Sequence, residues 1–136
     1  MIYILNGTNG GVLRDLAAYL AKNRNLPIAP MRTTLEKRVY DKDDEFIKYV
    51  SPQEMYNIKK SPDLLSREKV SRLSETYENA WLFEEGDFIV CLYSAYAVDM
   101  AKKRCDRKRI EYSIIVADAF IPAELDKVVR NEYSER

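Results

Sequence analysis

The chain has 136 residues, 46% of them apolar and 32% charged, a balance typical of one globular domain rather than of a disordered or fibrous chain. Its 22 basic and 22 acidic residues cancel, which disfavours a general nucleic-acid binder or attachment to a membrane surface by charge. Histidine is absent, which excludes Ser-His and Cys-His nucleophile pairs and removes the commonest zinc ligand.

The amino-terminal segment is apolar over residues 1–5 and is then interrupted by Asn6 and Gly7. It is too short for a signal peptide or a membrane span, so we expect a cytoplasmic protein without membrane contacts. Residues 2–5 predict a buried strand. The helical spacing of the next apolar residues predicts a helix that ends near residues 23–25. Those apolar residues are Val12, Leu13, Leu16, Ala17 and Leu20.

The rest of the chain alternates short apolar runs with helical patterns. Residues 28–32 and 46–50 predict short strands, and Ser51-Pro52-Gln53-Glu54 is a capping box that predicts the start of a helix. A further helix is predicted over residues 66–83. It is followed by a central strand at 88–93, a helix at 95–107, a strand at 112–116 and a closing helix at 122–133. This order predicts an α/β fold with a parallel sheet flanked by helices.

Several other features favour structural roles. Cys91 and Cys105 have no close motif, so we expect reduced packing residues rather than a disulfide or a metal site. The acidic run D-K-D-D-E at residues 41–45 lacks the spacing of a calcium loop and predicts a solvated loop. The basic cluster at residues 102–109 is interleaved with acids, which favours a solvated helix end over a surface for RNA or an acidic partner. Tyr93 and Tyr96 are placed near the predicted crevice, where half-buried packing is favoured over stacking on a base.

Ligands of open α/β sheets bind beside the carboxyl ends of the strands, where this chain places a glycine-rich turn. In a working P-loop, glycines let backbone N–H groups surround a phosphate, a lysine reaches the outer phosphates and a Ser or Thr holds magnesium. Val12 and Leu13 occupy the places of those two side chains. The turn is either a tight connection or a weak anion site at a helix N-terminus. The candidate residues are Gly7, Thr8, Asn9, Gly10 and Gly11.

The next segment resembles the guanylate kinase family. Thr33-Thr34-Leu35-Glu36-Lys37-Arg38, then Asp41, Tyr49-Val50-Ser51 and Glu54-Met55, is similar to the family pattern T-T-R-x-x-R...Y-x-F-V-s-x-x-e-F. Ser66-Arg67-Glu68 and the strand Gly86-Asp87-Phe88-Ile89-Val90 also resemble family segments. The resemblance covers about residues 1–125. It implies a single domain over residues 1–136 with a three-layer P-loop-kinase-like core, a reduced nucleoside-monophosphate-binding insertion at residues 33–65, and little or no lid.

Most functional positions of that family are altered here. The resemblance places Leu35 where the family has its first arginine, and it retains Arg38, a ligand of the monophosphate in the family. Ile47 replaces a phosphate-binding tyrosine, and Cys91 and Tyr93 replace the Asp-x-Asp that serves magnesium and the nucleotide. A segment with a base-recognising Glu and a second phosphate-binding Tyr looks deleted between residues 60 and 66.

These losses bear directly on phosphoryl transfer, which depends on positioning and on neutralising charge through lysine, arginine and magnesium. We therefore expect no catalytic residues, no metal and no cofactor, and three functions remain open. The favoured one is a protein-interaction module, as some degenerate relatives are. The second is binding of a GMP-like or phosphate ligand by Thr34, Arg38 and the turn from Gly7 to Gly11. The third is a residual nucleoside monophosphate kinase. The small size suggests a phage or mobile-element source.

Overall fold

A computed structural model describes residues 1–37, 46–72 and 74–117 of the chain. Arg38, the acidic loop at residues 41–45 and the closing helix predicted at residues 122–133 lie outside the described residues. None of the helices in the described part of the chain is long and apolar enough to cross a membrane.

The described residues form seven strands and three helices. In chain order these are β1 (Ile2–Asn6), α1 (Gly10–Arg24), β2 (Met31–Thr33), β3 (Ile47–Tyr49), α2 (Pro52–Lys60), β4 (Leu64–Arg72), β5 (Glu75–Leu82), β6 (Phe88–Leu92), α3 (Ala95–Lys108) and β7 (Tyr112–Val116).

The first helix, α1, forms as its apolar spacing predicts. Asn9 is the N-cap, and its side-chain oxygen accepts a hydrogen bond from the Val12 N–H at 3.1 Å. The buried side chains Leu13, Leu16, Ala17 and Leu20 form one stripe that faces the core. Asn25 ends the helix in the left-handed conformation, with φ of 53°, and its N–H bonds to the Ala21 carbonyl. This confirms the end predicted near residues 23–25.

Serine caps begin the other two helices. Ser51 accepts a hydrogen bond from the Glu54 N–H at 3.1 Å and Pro52 occupies the first helical position, which confirms the start predicted from the capping box. Ser94 likewise accepts from the Ala97 N–H at 3.1 Å, at the start of α3.

The core is a three-stranded parallel sheet in the order β6-β1-β7. Ile4 of β1 lies opposite Val90 of β6 on one side and Ile114 of β7 on the other. Residues 27–29 extend this sheet beyond β6 through a parallel bridge between Ile28 and Ile89. β6 therefore lies inside the sheet, as predicted for a central strand. The side chains of α1 and α3 belong to separate core clusters on its two faces, which gives three layers.

The second sheet has four strands in the order β3-β2-β5-β4. β2 and β3 are parallel, whereas β5 runs antiparallel to both β2 and β4. The prediction of a helix over residues 66–83 is therefore wrong, because this segment forms most of the β4–β5 hairpin. Its helical spacing of apolar residues is overridden by cross-strand pairing and by packing of the hairpin against α2 and α3.

Candidate functional site

The first two crossovers of the core sheet leave a crevice at its carboxyl edge. From β1 the chain passes through α1 and returns beside β6, at residues 27–29. From β6 it passes through α3 and returns beside β1, as β7. The two connections run in opposite directions and their helices pack on opposite faces of the sheet. The carboxyl ends of β1 and β6 are therefore a topological switch point, where open α/β sheets bind ligands.

A cleft of about 610 Å³ lies at this edge, within the range of small-molecule sites. The core sheet contributes residues that follow β1 and β6, and the second sheet forms the facing wall. The lining residues are Thr8, Gly10, Gly11, Arg14, Met31, Leu35, Glu68, Val70, Tyr77, Asn79, Tyr93 and Ser94.

The glycine-rich turn contributes to the cleft unevenly. Gly10 and Gly11, the first two residues of α1, line it together with the exposed Thr8. Asn9 caps the helix instead. Gly7 is buried behind the turn, where a Cβ atom would lie 1.7 Å from the Ala117 carbonyl oxygen. Position 7 therefore requires glycine because another chain segment lies against it, which is the role expected of a tight structural turn. Gly10 and Gly11, by contrast, face the cleft.

Arg14 lies in the cleft one helical turn after Gly10. Its guanidinium carbon is 5.2 Å from the centre of the Phe46 ring, within cation–π range. It also donates a hydrogen bond to the Tyr93 side chain. Burial raises the pKa of Tyr93, as does its neighbour Cys91, while the charge and hydrogen bond of Arg14 oppose the rise. An aromatic ring and a phenol oxygen therefore hold this guanidinium at the cleft.

The facing wall is polar at its centre. Neighbouring residues of a strand point to opposite faces of the sheet. On β5, Tyr77 and Asn79 line the cleft. Glu78, between them, points to the other face and forms an ion pair of 2.7 Å with Lys59 of α2. The Asn79 amide nitrogen donates to the Glu68 carboxylate at 3.1 Å. The Asn79 oxygen is buried and has no hydrogen-bond partner among the described residues, although the residue is only 4% exposed.

Leu13, Cys91 and Tyr93 stand at positions where the family resemblance implies groups for kinase chemistry. Leu13 is fully buried in the core cluster beneath α1. Burial raises the pKa of the Cys91 thiol to about 12, so that this side chain stays protonated at neutral pH and presents no thiolate to a metal ion. The pKa of Tyr93 is raised in the same direction, mainly by burial. Across residues 1–37, 46–72 and 74–117 no group of three or more Cys, Asp or Glu side chains could hold a metal ion.

Thr34, another predicted site residue, does not line the cleft. The Thr34 hydroxyl accepts a hydrogen bond from the Glu78 N–H at 2.9 Å, which fastens the end of β2 to β5. Arg38 is outside the described residues. Tyr96 is 59% exposed and lies beside a smaller depression with Arg67 and Lys69, so of the two tyrosines only Tyr93 belongs to the cleft.

The sequence interpretation missed three polar residues on the facing wall of the cleft. Glu68, Tyr77 and Asn79 fell in the segment predicted as a helix, where alternation between two faces was not considered. Arg14 is four residues after Gly10, a spacing that places both residues on the same face of α1. The cleft thus contains a carboxylate, Glu68, and a tyrosine, Tyr77. The family resemblance had implied that a segment with a Glu and a Tyr is deleted between residues 60 and 66.

The three-layer arrangement and the crevice define a mixed α/β protein with a P-loop-kinase-like core. Over 99% of its length the chain is similar to the crystal structure of a guanylate kinase from Anaplasma phagocytophilum, with a TM-score of 0.60, 12% sequence identity and 85% of that chain covered. The protein therefore has a guanylate-kinase-like fold. Two searches by sequence, one against protein-family models and one against curated proteins, find no match.

Proposed function

We propose that this protein is a catalytically impaired guanylate-kinase-like domain that binds a nucleotide or a similar phosphate-bearing ligand in the cleft. The observation that carries the proposal is the buried Asn79 oxygen without a partner in the cleft wall. A buried acceptor left unpaired costs about 1–3 kcal/mol, and a ligand that donates a hydrogen bond there would remove that cost. Glu68 beside it is a second acceptor. Backbone N–H groups and Arg14 on the other side of the cleft suit an anion.

The chemistry of the altered positions supports binding without phosphoryl transfer. Removing one donor from an oxyanion-type site costs roughly 3–4 kcal/mol of transition-state stabilisation, and here the P-loop lysine and both acidic positions are replaced. Val12 and Leu13 are uncharged apolar side chains, and Cys91 and Tyr93 are protonated at neutral pH, so none of the four neutralises phosphate charge or holds magnesium. Cys91 and Cys105 are free thiols, which suits a reducing cytoplasm.

A protein-interaction module, which the sequence favoured, has less support from the surface. Among the described residues the exposed large apolar side chains are Tyr56, Tyr96 and Val116, one each on α2, α3 and β7. Isolated apolar residues of this kind are normal on a monomer and do not form a patch. A protein partner remains the outcome to pursue if no nucleotide binds.

The test is a calorimetric titration of the purified protein with GMP, GDP and ATP, with and without magnesium, together with an assay for conversion of GMP and ATP to GDP and ADP. We expect micromolar binding of at least one nucleotide and no turnover. Arg38, which the resemblance implies as a phosphate ligand, is tested by Arg38→Ala, which should abolish binding, with Arg24→Ala on α1 as the control. No heat with any nucleotide would contradict the proposal, and turnover would instead identify a residual kinase.

A further inference from the structure

We propose that Arg14 binds the anionic group of the ligand, a phosphate or phosphomonoester, and that Tyr93 and Phe46 position its guanidinium for this contact. This inference rests on the proposed function, because it assigns the anion-binding residue of the same cleft. The glycine-rich turn suggested an anion site made of backbone N–H groups alone, whereas here the positive charge comes from Arg14, a side chain further along α1.

Helix geometry brings Arg14 to the right place. Successive residues of an α-helix are turned by about 100°, so that Leu13 faces the core whereas Arg14 reaches the cleft. Residues four apart share a face, which places Arg14 above Gly10. Helical side chains also lean toward the N-terminus, so the guanidinium is directed back over the first turn of α1.

The first turn of α1 supplies N–H donors beside this cation. The Val12 N–H is occupied by the Asn9 side chain at 3.1 Å, and the Leu13 N–H bonds to the Asn9 carbonyl at 3.1 Å. Gly10 and Gly11 are the remaining helical residues whose N–H groups have no partner within the helix, and both line the cleft. Without side chains they leave space for an anion next to the positive end of the helix dipole.

The arginine is held in position by two side chains. The Phe46 ring lies under its guanidinium carbon at 5.2 Å, and Tyr93 accepts a hydrogen bond from it. Tyr93 directly follows β6, and Arg14 lies on α1, the helix that follows β1, so their contact joins the chain segments on both sides of the switch point. A fixed planar fork of N–H donors matches two oxygens of a phosphate, and its ordering cost is met before the ligand arrives.

The opposite wall of the cleft independently indicates a ligand and determines how the ligand is oriented in the cleft. Asn79 is 4% exposed and its oxygen has no hydrogen-bond partner in the described part of the chain. Among the described residues that line the cleft, Glu68 next to it is the acidic one and Arg14 is the basic one. An anion is repelled from the Glu68 wall and attracted to the α1 wall, so the phosphate is placed at Arg14 and the hydrogen-bond donors of the ligand at Asn79.

The experiment compares GMP with guanosine, which lacks the phosphate. For wild type and for Arg14→Ala, Arg14→Lys and Tyr93→Phe, the two dissociation constants are measured by calorimetry, and binding of inorganic phosphate is measured alongside. Arg14→Ala should weaken GMP binding by at least about tenfold and leave guanosine binding unchanged, because a charge-assisted pair to phosphate is lost. Arg14→Lys should recover part of the loss. Tyr93→Phe should weaken GMP binding by roughly two- to fivefold through poorer orientation of Arg14.

Arg24→Ala is the matched control, since it removes an arginine from the other end of the same helix and should change neither constant. The ratio of the two affinities is the decisive quantity, because a general loss of structure weakens both ligands together. If wild type binds GMP and the ratio is unchanged in Arg14→Ala, this inference fails and the proposed function stands. If wild type binds neither nucleotides nor inorganic phosphate, both are overturned.

Discussion

At the residue scale, Asn79 shows how a single side chain distinguishes a ligand site from a packing position. Its amide nitrogen is satisfied by Glu68 at 3.1 Å, yet its oxygen is buried without a partner. Native proteins pair more than nine in ten of their buried polar groups, so an exception in a cleft wall calls for an explanation. A structural role would be better served by an apolar residue of the same size, whereas a ligand-binding role requires the oxygen.

Asn79→Leu separates these two roles. We expect the variant to lose at least about tenfold in GMP affinity while its unfolding temperature stays the same or rises, because an unpaired buried acceptor is removed from the free protein. Glu68 loses its amide donor but is half-buried beside the cleft, where water can replace it. Asn57→Leu on the exposed face of α2 is the control for the substitution itself. A lower unfolding temperature with unchanged GMP affinity would assign Asn79 a purely structural role.

At the scale of the elements, the sequence predicted those whose signals are local. The stripe in α1, the capping box of α2 and the apolar runs of β1, β6 and β7 each depend on residues close together in the chain. The β4–β5 hairpin does not. Its strands contain few β-branched residues, and Arg67, Glu68 and Lys69 conceal the alternation between faces, so helix propensity and spacing dominated. The cleft was predicted from the turn before α1 and from Tyr93 after β6, and its facing wall was missed because that wall belongs to this hairpin.

The turn between β1 and α1 contains glycines with different roles, which the same substitution separates. At Gly7 a Cβ atom would lie 1.7 Å from the Ala117 carbonyl oxygen, whereas at Gly11 the nearest atom is the Asn9 side-chain oxygen at 3.4 Å. We expect Gly7→Ala to lower the free energy of unfolding by at least about 2 kcal/mol, because the backbone must shift to relieve the overlap. Gly11→Ala should be neutral or stabilising by up to about 1 kcal/mol.

Chemical denaturation of the two variants beside wild type measures both values. Equal stability of Gly7→Ala and Gly11→Ala would contradict the close approach of residue 117 to the turn. A selective loss in Gly7→Ala would assign that glycine to packing and leave Gly10 and Gly11 as the glycines that serve the cleft.

At the scale of the whole molecule, the two faces of the core sheet hold separate apolar clusters. Cys91 belongs to the cluster beneath α1, and Cys105 to the cluster that joins α3, the core sheet and the β4–β5 hairpin through Leu65 and Trp81. Residues of β1 enter both clusters, Ile4 on one face and Leu5 on the other. Because one strand supports both faces, loss of either cluster should remove the other, as the prediction of a single domain requires.

The two cysteines make this cooperativity measurable, since each reports on one face. Burial raises the pKa of Cys91 to about 12 and that of Cys105 to about 11, so at pH 8 both thiols are protonated and covered in the folded protein. Unfolding returns the pKa of each thiol toward its ordinary value near 8.5, where at pH 8 a substantial fraction is the reactive thiolate.

The variants Cys91→Ala and Cys105→Ala each leave one thiol, and the rate at which a thiol reagent modifies it is followed across a urea series. We expect each rate to rise in the unfolding transition that circular dichroism records for the same variant. Exposure of the Cys105 thiol before that transition would show that the α3 and hairpin side opens separately, and the chain would then be two cooperative units that share β1.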